Sequence, residues 1–401
     1  MKISIPKFSR DAKLFLFGNF INGFGITGFN LLFNLYLKSK GIGEGSIGRL
    51  LSVGAYSTML MVLPASFLIR KFSLKKIFTF TVLFLISGYL LAVISASLKS
   101  IFIGMIISGM CSAIFSCVGG PLIMEVSGPE ERTLLFSFNF AISLSASIFG
   151  NILAGNLSVI LNRFNITQEI ALKFAIIIHL FIASFSLIPF LSIRDARIFD
   201  EEENIFKMHT KIGLILKLST PHLLVGFGAG LSIPFLNLYF RDRFSLSTST
   251  IGYFFSISQL TMIFGTLIAP FISKHKGKII TIVLSQIFSV PFLFILSVTN
   301  NLPIAFISFI LRSSLMNMAQ PIVTNFSLEM VDKNTRPFLS GLLTIAWISG
   351  WGLSANIGGK IIESKGYSLP FNLTGIFYII SSILYLRLLL PLEISREKNK
   401  K

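Results

Sequence analysis

The sequence is short of charge. Only 13% of its 401 residues are Asp, Glu, Lys or Arg, about half the roughly 25% usual in a soluble domain. Hydrophobic residues make up 53% and the mean hydropathy is +0.79, which excludes a water-soluble globular chain. Acids are scarcest, 17 Asp and Glu against 35 Lys and Arg, and every one falls in a loop or at the end of an apolar run. No carboxylate therefore stands mid-membrane to carry protons or attract organic cations, so a neutral or anionic solute fits better. The two cysteines, Cys111 and Cys117, are about 9 Å apart along one helix at 1.5 Å per residue, beyond disulfide reach. They read as packing residues. With four histidines and no H-E-x-x-H, paired-Cys or G-x-S-x-G pattern, the chain lacks the usual equipment of an enzyme. With no G-x-x-x-x-G-K-[ST] loop it lacks that of an ATP-driven pump. No catalytic residue, metal site or cofactor is expected.

What the chain has is apolar runs of membrane length. About 20 apolar residues cross a bilayer core of roughly 30 Å as helix. Twelve such runs are read: 14–37, 47–69, 77–98, 101–124, 134–161 and 171–193, then 219–240, 251–272, 279–298, 303–328, 338–359 and 371–392. The second six repeat the first. Gly23 recurs as Gly226, 203 residues on, and Ser46-Ile47-Gly48 recurs as Thr250-Ile251-Gly252, offset by 204. Glu125, Arg132 and Gly155 map to Glu329, Arg336 and Gly359 at that same offset of 204. Repeats an even number of spans apart point the same way through the membrane, as parallel repeats about an axis along its normal. The expected architecture is all-α and polytopic, with a six-helix bundle over 1–193, an interdomain loop over 194–218 and a second six-helix bundle over 219–401 ending in a short basic tail.

Cations set the expected topology. With span-edge residues assigned to the adjoining segment and both termini cytoplasmic, 24 of the 35 Lys and Arg fall on inner segments and 10 on outer ones, leaving Arg312 inside a span. This is the positive-inside bias. Spread over seven short inner segments, the charge does not read as a nucleic-acid surface. The apolar run after Lys2, Lys7, Arg10 and Lys13 is too long for a signal peptide and completes the first repeat, so it is expected to be retained. The central loop interleaves apolar and basic residues from Ile205 on, compatible either with a short helix on the inner membrane surface or with a solvated tether.

This layout, with the segment Arg70-Lys71-Phe72-Ser73-Leu74-Lys75-Lys76 after the second span, resembles the major facilitator superfamily of secondary transporters across essentially the whole chain. The segment is similar to that family's basic loop, Asp-Arg-x-Gly-Arg-Arg, but Arg70 stands where the Asp is usual and Ser73 where the Gly is. The second-half loop also opens with a cation, Lys274. These departures displace the usual carboxylate-centred gate. The expected substitute is Glu125 paired with Arg70, Lys71 or Arg132, and Glu329 paired with Lys274 or Arg336, locking the inner face in one state of the cycle. The alternative is ordinary interfacial charge. Small residues recur as well: Ala146, Gly150 and Ala154 in span five, Gly350, Ser354 and Gly358 in span eleven. They let backbones approach closely in lipid, either where halves slide, as the resemblance implies, or in static packing.

Candidate solute residues follow from polarity inside spans. Asn19, Asn22, Asn30 and Asn34 fall within one 120° arc of the first helix at 100° per residue, and unsatisfied amides facing lipid would cost several kcal/mol. Asn22 and Asn30, nearest mid-span, either contact solute or bind a neighbouring helix. Asn237 and Tyr239 echo Asn34 and Tyr36 near the outer end, as a gate or loop anchor. Arg312, nine residues into span ten, costs at least about 2.5–3.5 kcal/mol at a bilayer centre and is a ligand candidate, unless helix carbonyls or amides hold it as scaffold. His179 is the other deep ionisable residue, either structural or proton-carrying. Trp347 and Trp351 form either an aromatic wall or ordinary packing. The expected function is a secondary active or facilitative transporter of a small organic solute in the cell membrane, working as a monomer in a lipid bilayer. A proton or another ion is an optional coupling partner, and nucleic acid is not a partner. A solute sensor on the same fold is the second reading, disfavoured by the short tails, and a membrane-embedded enzyme the third.

Overall fold

The computed structural model describes residues 8–127, 129–194, 212–331 and 335–398, and the central-loop segment from Ile205 to 211 lies outside them. Among the described residues every regular element is helical. The first half runs α1 (Arg10–Ser39), α2 (Glu44–Lys71), α3 (Leu74–Ile94), α4 (Leu98–Glu125), α5 (Pro129–Asn162) and α6 (Gln168–Ser184), continued by α7 (Leu187–Ser192). The second half begins with α8 (Ile212–Ser232), passes a 3-10 turn at Ile233–Phe235 into α9 (Leu236–Phe244), and continues with α10 (Thr248–Lys276) and α11 (Lys278–Val298). Span ten is broken into α12 (Leu302–Met318) and α13 (Gln320–Glu329). Then come α14 (Arg336–Lys365), α15 (Ser368–Leu384), a π turn at Tyr385–Leu389 and α16 (Leu390–Lys398).

Eleven of these stretches are long and apolar enough to cross a membrane. The twelfth expected span lies in α14, which has the length, 30 residues, but is diluted by Gly, Ser, Asn and Lys. Where helices begin, short polar side chains cap them. Ser9, Thr167 and Asn301 accept from the backbone N–H three residues on, meeting one of the donors that a helix start leaves open.

The chain forms two compact units. Unit 1 is Met1–Lys40, Leu60–Glu203 and Ser247–Ser256; unit 2 is Gly41–Met59, Asn204–Leu246 and Ile257–Lys401. Both are built alike. In unit 1, α1 packs on α5 and α6 while α3 pairs with α4; in unit 2, α8 packs on α14 and α15 while α11 pairs with α12. The resemblance extends to single bonds. The Tyr36 hydroxyl donates to the Val93 carbonyl at 2.7 Å, and the Tyr239 hydroxyl donates to the Leu296 carbonyl at 2.8 Å. Lys40 Nζ reaches the Ser95 carbonyl at 3.0 Å, and Arg243 Nε the Thr299 carbonyl at 2.9 Å. Each pair clamps the C-terminal end of α3 or α11, where open carbonyls and the helix dipole both favour a donor and a cation. The expectation that Tyr36 and Tyr239 mark an anchor or gate thus meets an anchoring geometry.

The repeated Gly48 and Gly252 lie in the two segments that depart from the simple division at the central loop. In unit 2, Gly48 lies against the Ala355 backbone, Gly359 lies against the Glu44 carbonyl, and the Ser52 hydroxyl donates to the Gly352 carbonyl at 2.5 Å. In unit 1, Gly252 lies against the Asn151 carbonyl and Gly155, and the Ser256 hydroxyl donates to the Ile148 carbonyl at 2.9 Å. A Cβ at Gly48, Gly155, Gly252 or Gly359 would strike backbone rather than a side chain able to move. Close main-chain approach is their physical reason.

Candidate solute and gating residues

Arg312 projects from α12 into the interior of unit 2 and is 4% exposed. Its Nη2 donates to the Ser313 hydroxyl at 2.9 Å, and it faces the hydroxyl of Tyr378 on α15. Gly228 of α8 leaves the room for that phenol, because a Cβ there would press on the Tyr378 ring. The guanidinium Nε is buried without a partner, and among the described residues no carboxylate pairs with Arg312. Its repeat mate Ser108 is spent on its own helix, donating to the Gly104 carbonyl at 2.9 Å. Tyr378 was not legible as a site residue: the corresponding first-half position is Phe174, and nothing in the sequence marks the tyrosine out.

The amide stripe of α1 divides. Asn19 donates to Asn139 of α5 at 2.7 Å, a helix-to-helix bond. Asn22 is buried with its Oδ1 unsatisfied. Asn30 is exposed, and Asn34 is buried with a partner. His179 lies fully buried where α6 meets α1: its Nδ1 is 2.9 Å from the Ala175 carbonyl, and its ring stacks on Phe24 at 6.0 Å and 11°. Gly28 has no Cβ because the His179 ring occupies that place. Trp347 and Trp351 stack at 6.4 Å and 23° and are half-buried, while their backbone carbonyls lie against Gly226 and Gly230 of α8.

The small residues pack within their own unit. Gly23 of α1 meets Ala146, and Gly150 lies against the Phe24 carbonyl; Ala154 is buried on the same helix. Gly350, Ser354 and Gly358 face Leu223, Gly230 and Leu231 of α8 in turn. The closest neighbours of Gly150, Gly350 and Gly358 are therefore α1 and α8 of their own units.

The charges at the ends assigned to the inner side arrange themselves differently from expectation. Glu329 takes Lys278 at 2.6 Å and Arg396 of α16 at 2.8 Å, two cations the sequence left unassigned. Lys274 is exposed, and Arg336 Nε donates to the Leu328 carbonyl at 3.0 Å. The reason is helix register: Lys278 opens α11 beside the end of α13, whereas Lys274 is a full turn back on α10. Beside this pair, Glu393 of α16 accepts from the backbone N–H groups of Lys278 at 2.6 Å and Ile279 at 3.0 Å, capping α11 from another helix. The cluster stitches α11, α13 and α16 of a single unit together. Glu125 is exposed and makes no ion pair among the described residues; Lys71 is exposed, and the side chains of Arg70 and Arg132 lie outside those described.

The opposite end of unit 2 carries a second unforeseen set. Glu363 of α14 accepts from the Gly45 N–H at 2.9 Å, capping the start of α2. The Tyr367 hydroxyl donates to Asp242 at 2.6 Å. Burial, then the adjacent Asp242 carboxylate, raises the Tyr367 pKa and keeps it a donor. Nothing in the sequence paired Gly45 with Glu363.

The sequence model of the Major Facilitator Superfamily matches residues 15–204 and 218–401. A curated relative, Multidrug resistance protein 1 of Bacillus subtilis (strain 168), is 26% identical over 175 residues, 43% of this chain and 44% of its own length. The matched stretch thus spans less than half of that relative. Among solved structures, a bacterial homolog of the human lysosomal transporter Spinster, inward-facing and occupied, superposes with a TM-score of 0.78 at 13% identity over 95% of this chain and 97% of its own. The nucleoside transporter NupG gives 0.78 at 12%, over 94% and 100%. A bacterial homologue of the iron transporter ferroportin gives 0.70 at 15%, over 94% and 98%. At these identities the likeness is one of fold.

Proposed function

The chain belongs to the Major Facilitator Superfamily and is a multi-pass membrane transporter rather than an enzyme, and on that premise we propose that it moves a small neutral or anionic organic solute by alternating access, with 1–193 and 219–401 as its moving bodies. The observation that carries the charge preference is Arg312, a buried guanidinium with one unpartnered N–H and, among the described residues, no carboxylate beside it. Such a group is costly in the membrane, and a planar anionic group such as carboxylate or phosphate matches its fork. In unit 1 the corresponding candidate is Asn22, whose buried Oδ1 lacks a donor. Asn30, His179, Trp347 and Trp351 complete the proposed solute set. Arg70, Lys71, Glu125, Arg132, Lys274, Glu329 and Arg336 form the proposed gating set, to which Lys278, Arg396 and Glu363 are added.

Reconstitution into proteoliposomes tests the reading, with a panel of anionic, neutral and cationic solutes measured with and without a pH gradient. The names of the nucleoside transporter and the Bacillus relative supply its nucleoside and drug-like members. A neutral or anionic solute should accumulate or exchange. Transport confined to cations would refute the charge preference, and tight binding with no flux would favour a sensor.

A further inference from the structure

A recess of about 380 Å³ opens on the surface of unit 1 between α2, α3 and α4, within the range of about 300–1,000 Å³ typical of small-molecule pockets. Its walls are apolar, with Met61 and Leu68 on α2, Phe80 and Phe84 on α3, and Met110 and Ile114 on α4. Phe80 and Phe84 are exposed, so these side chains line the recess without being covered by another helix. One charged residue lines it, Lys76, exposed on the first turn of α3. From Lys76 to Phe84 the wall rises about 12 Å at 1.5 Å per residue, close to the depth of one leaflet of a roughly 30 Å core. Lys71 and Lys75 flank the same end, which the cation bias assigns to the inner side.

We propose that this recess holds an anionic phospholipid of the inner leaflet, its acyl chain along Phe80, Phe84 and Met110 and its phosphate on the Lys76 ammonium. Apolar walls with a cation at one end fit a molecule that is long, apolar and anionic at one end. A neutral drug-like molecule leaves the ammonium unmatched. Lys76 is a point charge on a flexible stem and recognises phosphate without demanding a fixed geometry. None of the proposed solute residues lines this recess, and of the proposed gating set Lys71 stands beside it without lining it.

The test is the thermal stability of the full-length protein in detergent, titrated with phosphatidylglycerol or phosphatidylcholine of identical acyl chains. An attraction of about 1 kcal/mol per cation near an anionic surface gives about a fivefold preference for phosphatidylglycerol. Lys76→Gln should remove that preference and leave phosphatidylcholine binding unchanged, while Lys38→Gln, at the other membrane face, should leave it intact. Met110→Trp, which fills the recess from an exposed position, should weaken both lipids. Equal binding of the two lipids by the wild type, or a preference that survives Lys76→Gln, overturns the proposal. Cross-linking of two copies through Met110→Cys, or displacement of phosphatidylglycerol by a neutral drug-like compound alone, assigns the recess to that occupant instead. A Lys76→Gln protein that fails to fold is replaced by Lys76→Arg, which should keep the preference.

Discussion

Replacing Arg312 with methionine separates a ligand from a scaffold. The guanidinium donates to the Ser313 hydroxyl and faces that of Tyr378, and at about 0.5–1.5 kcal/mol net for each such contact the variant forgoes roughly 1–3 kcal/mol. Against this stands the insertion cost of a deep arginine, about 2.5–3.5 kcal/mol on translocon scales, which no carboxylate among the described residues offsets. Methionine fills the stem's volume and is apolar. Arg312→Met should therefore melt within about 1–2 kcal/mol of wild type, or above it. Solute binding should fall further: a charge-assisted hydrogen bond contributes about 1.5–3 kcal/mol, so its loss weakens affinity by roughly 10- to 150-fold. Arg312→Lys retains the charge without the planar fork and should lie between. The assay is a melting curve and solute binding on the same detergent-purified samples, using the solute that proteoliposome transport identifies. A variant that melts far lower yet binds that solute normally would make Arg312 a scaffold and sink the ligand argument.

Three further outcomes are expected. Glu329→Gln removes the attraction to Lys278 and Arg396, and because these side chains are about a third exposed each pair contributes only about 0–1 kcal/mol. Amide exchange should accelerate in α16, and unchanged exchange there would show that Glu393 alone holds that helix. Glu363→Ala should remove the cap on Gly45, a loss of about 1 kcal/mol. A cysteine at Ser52, buried against Gly352, should then label faster, whereas equal labelling would leave Glu363 without a latching role. Reporter fusions at both tails and near Glu202 should read cytoplasmic and those near Asn300 external, and one reversed reporter would break the twelve-span topology.

The sequence by itself determined the class and the architecture, because both rest on properties that accumulate along the chain. Apolar length compels membrane-spanning helices, since only internally bonded backbone survives in lipid, and the 204-residue offset compels two like halves. The clamps at Tyr36 and Tyr239 show how far that register reaches, down to single hydrogen bonds. Even the repeated glycines pointed to close backbone contact. Partner choice was a matter for tertiary structure alone. Which cation meets Glu329, which carboxylate caps α11 or α2, and which phenol faces Arg312 depend on the rotation of each helix about its axis and on where its end lies. These contacts join residues 51, 67, 115 and 318 positions apart. No local pattern records them: an interfacial acid is drawn to any nearby donor, and packing decides which donor is near.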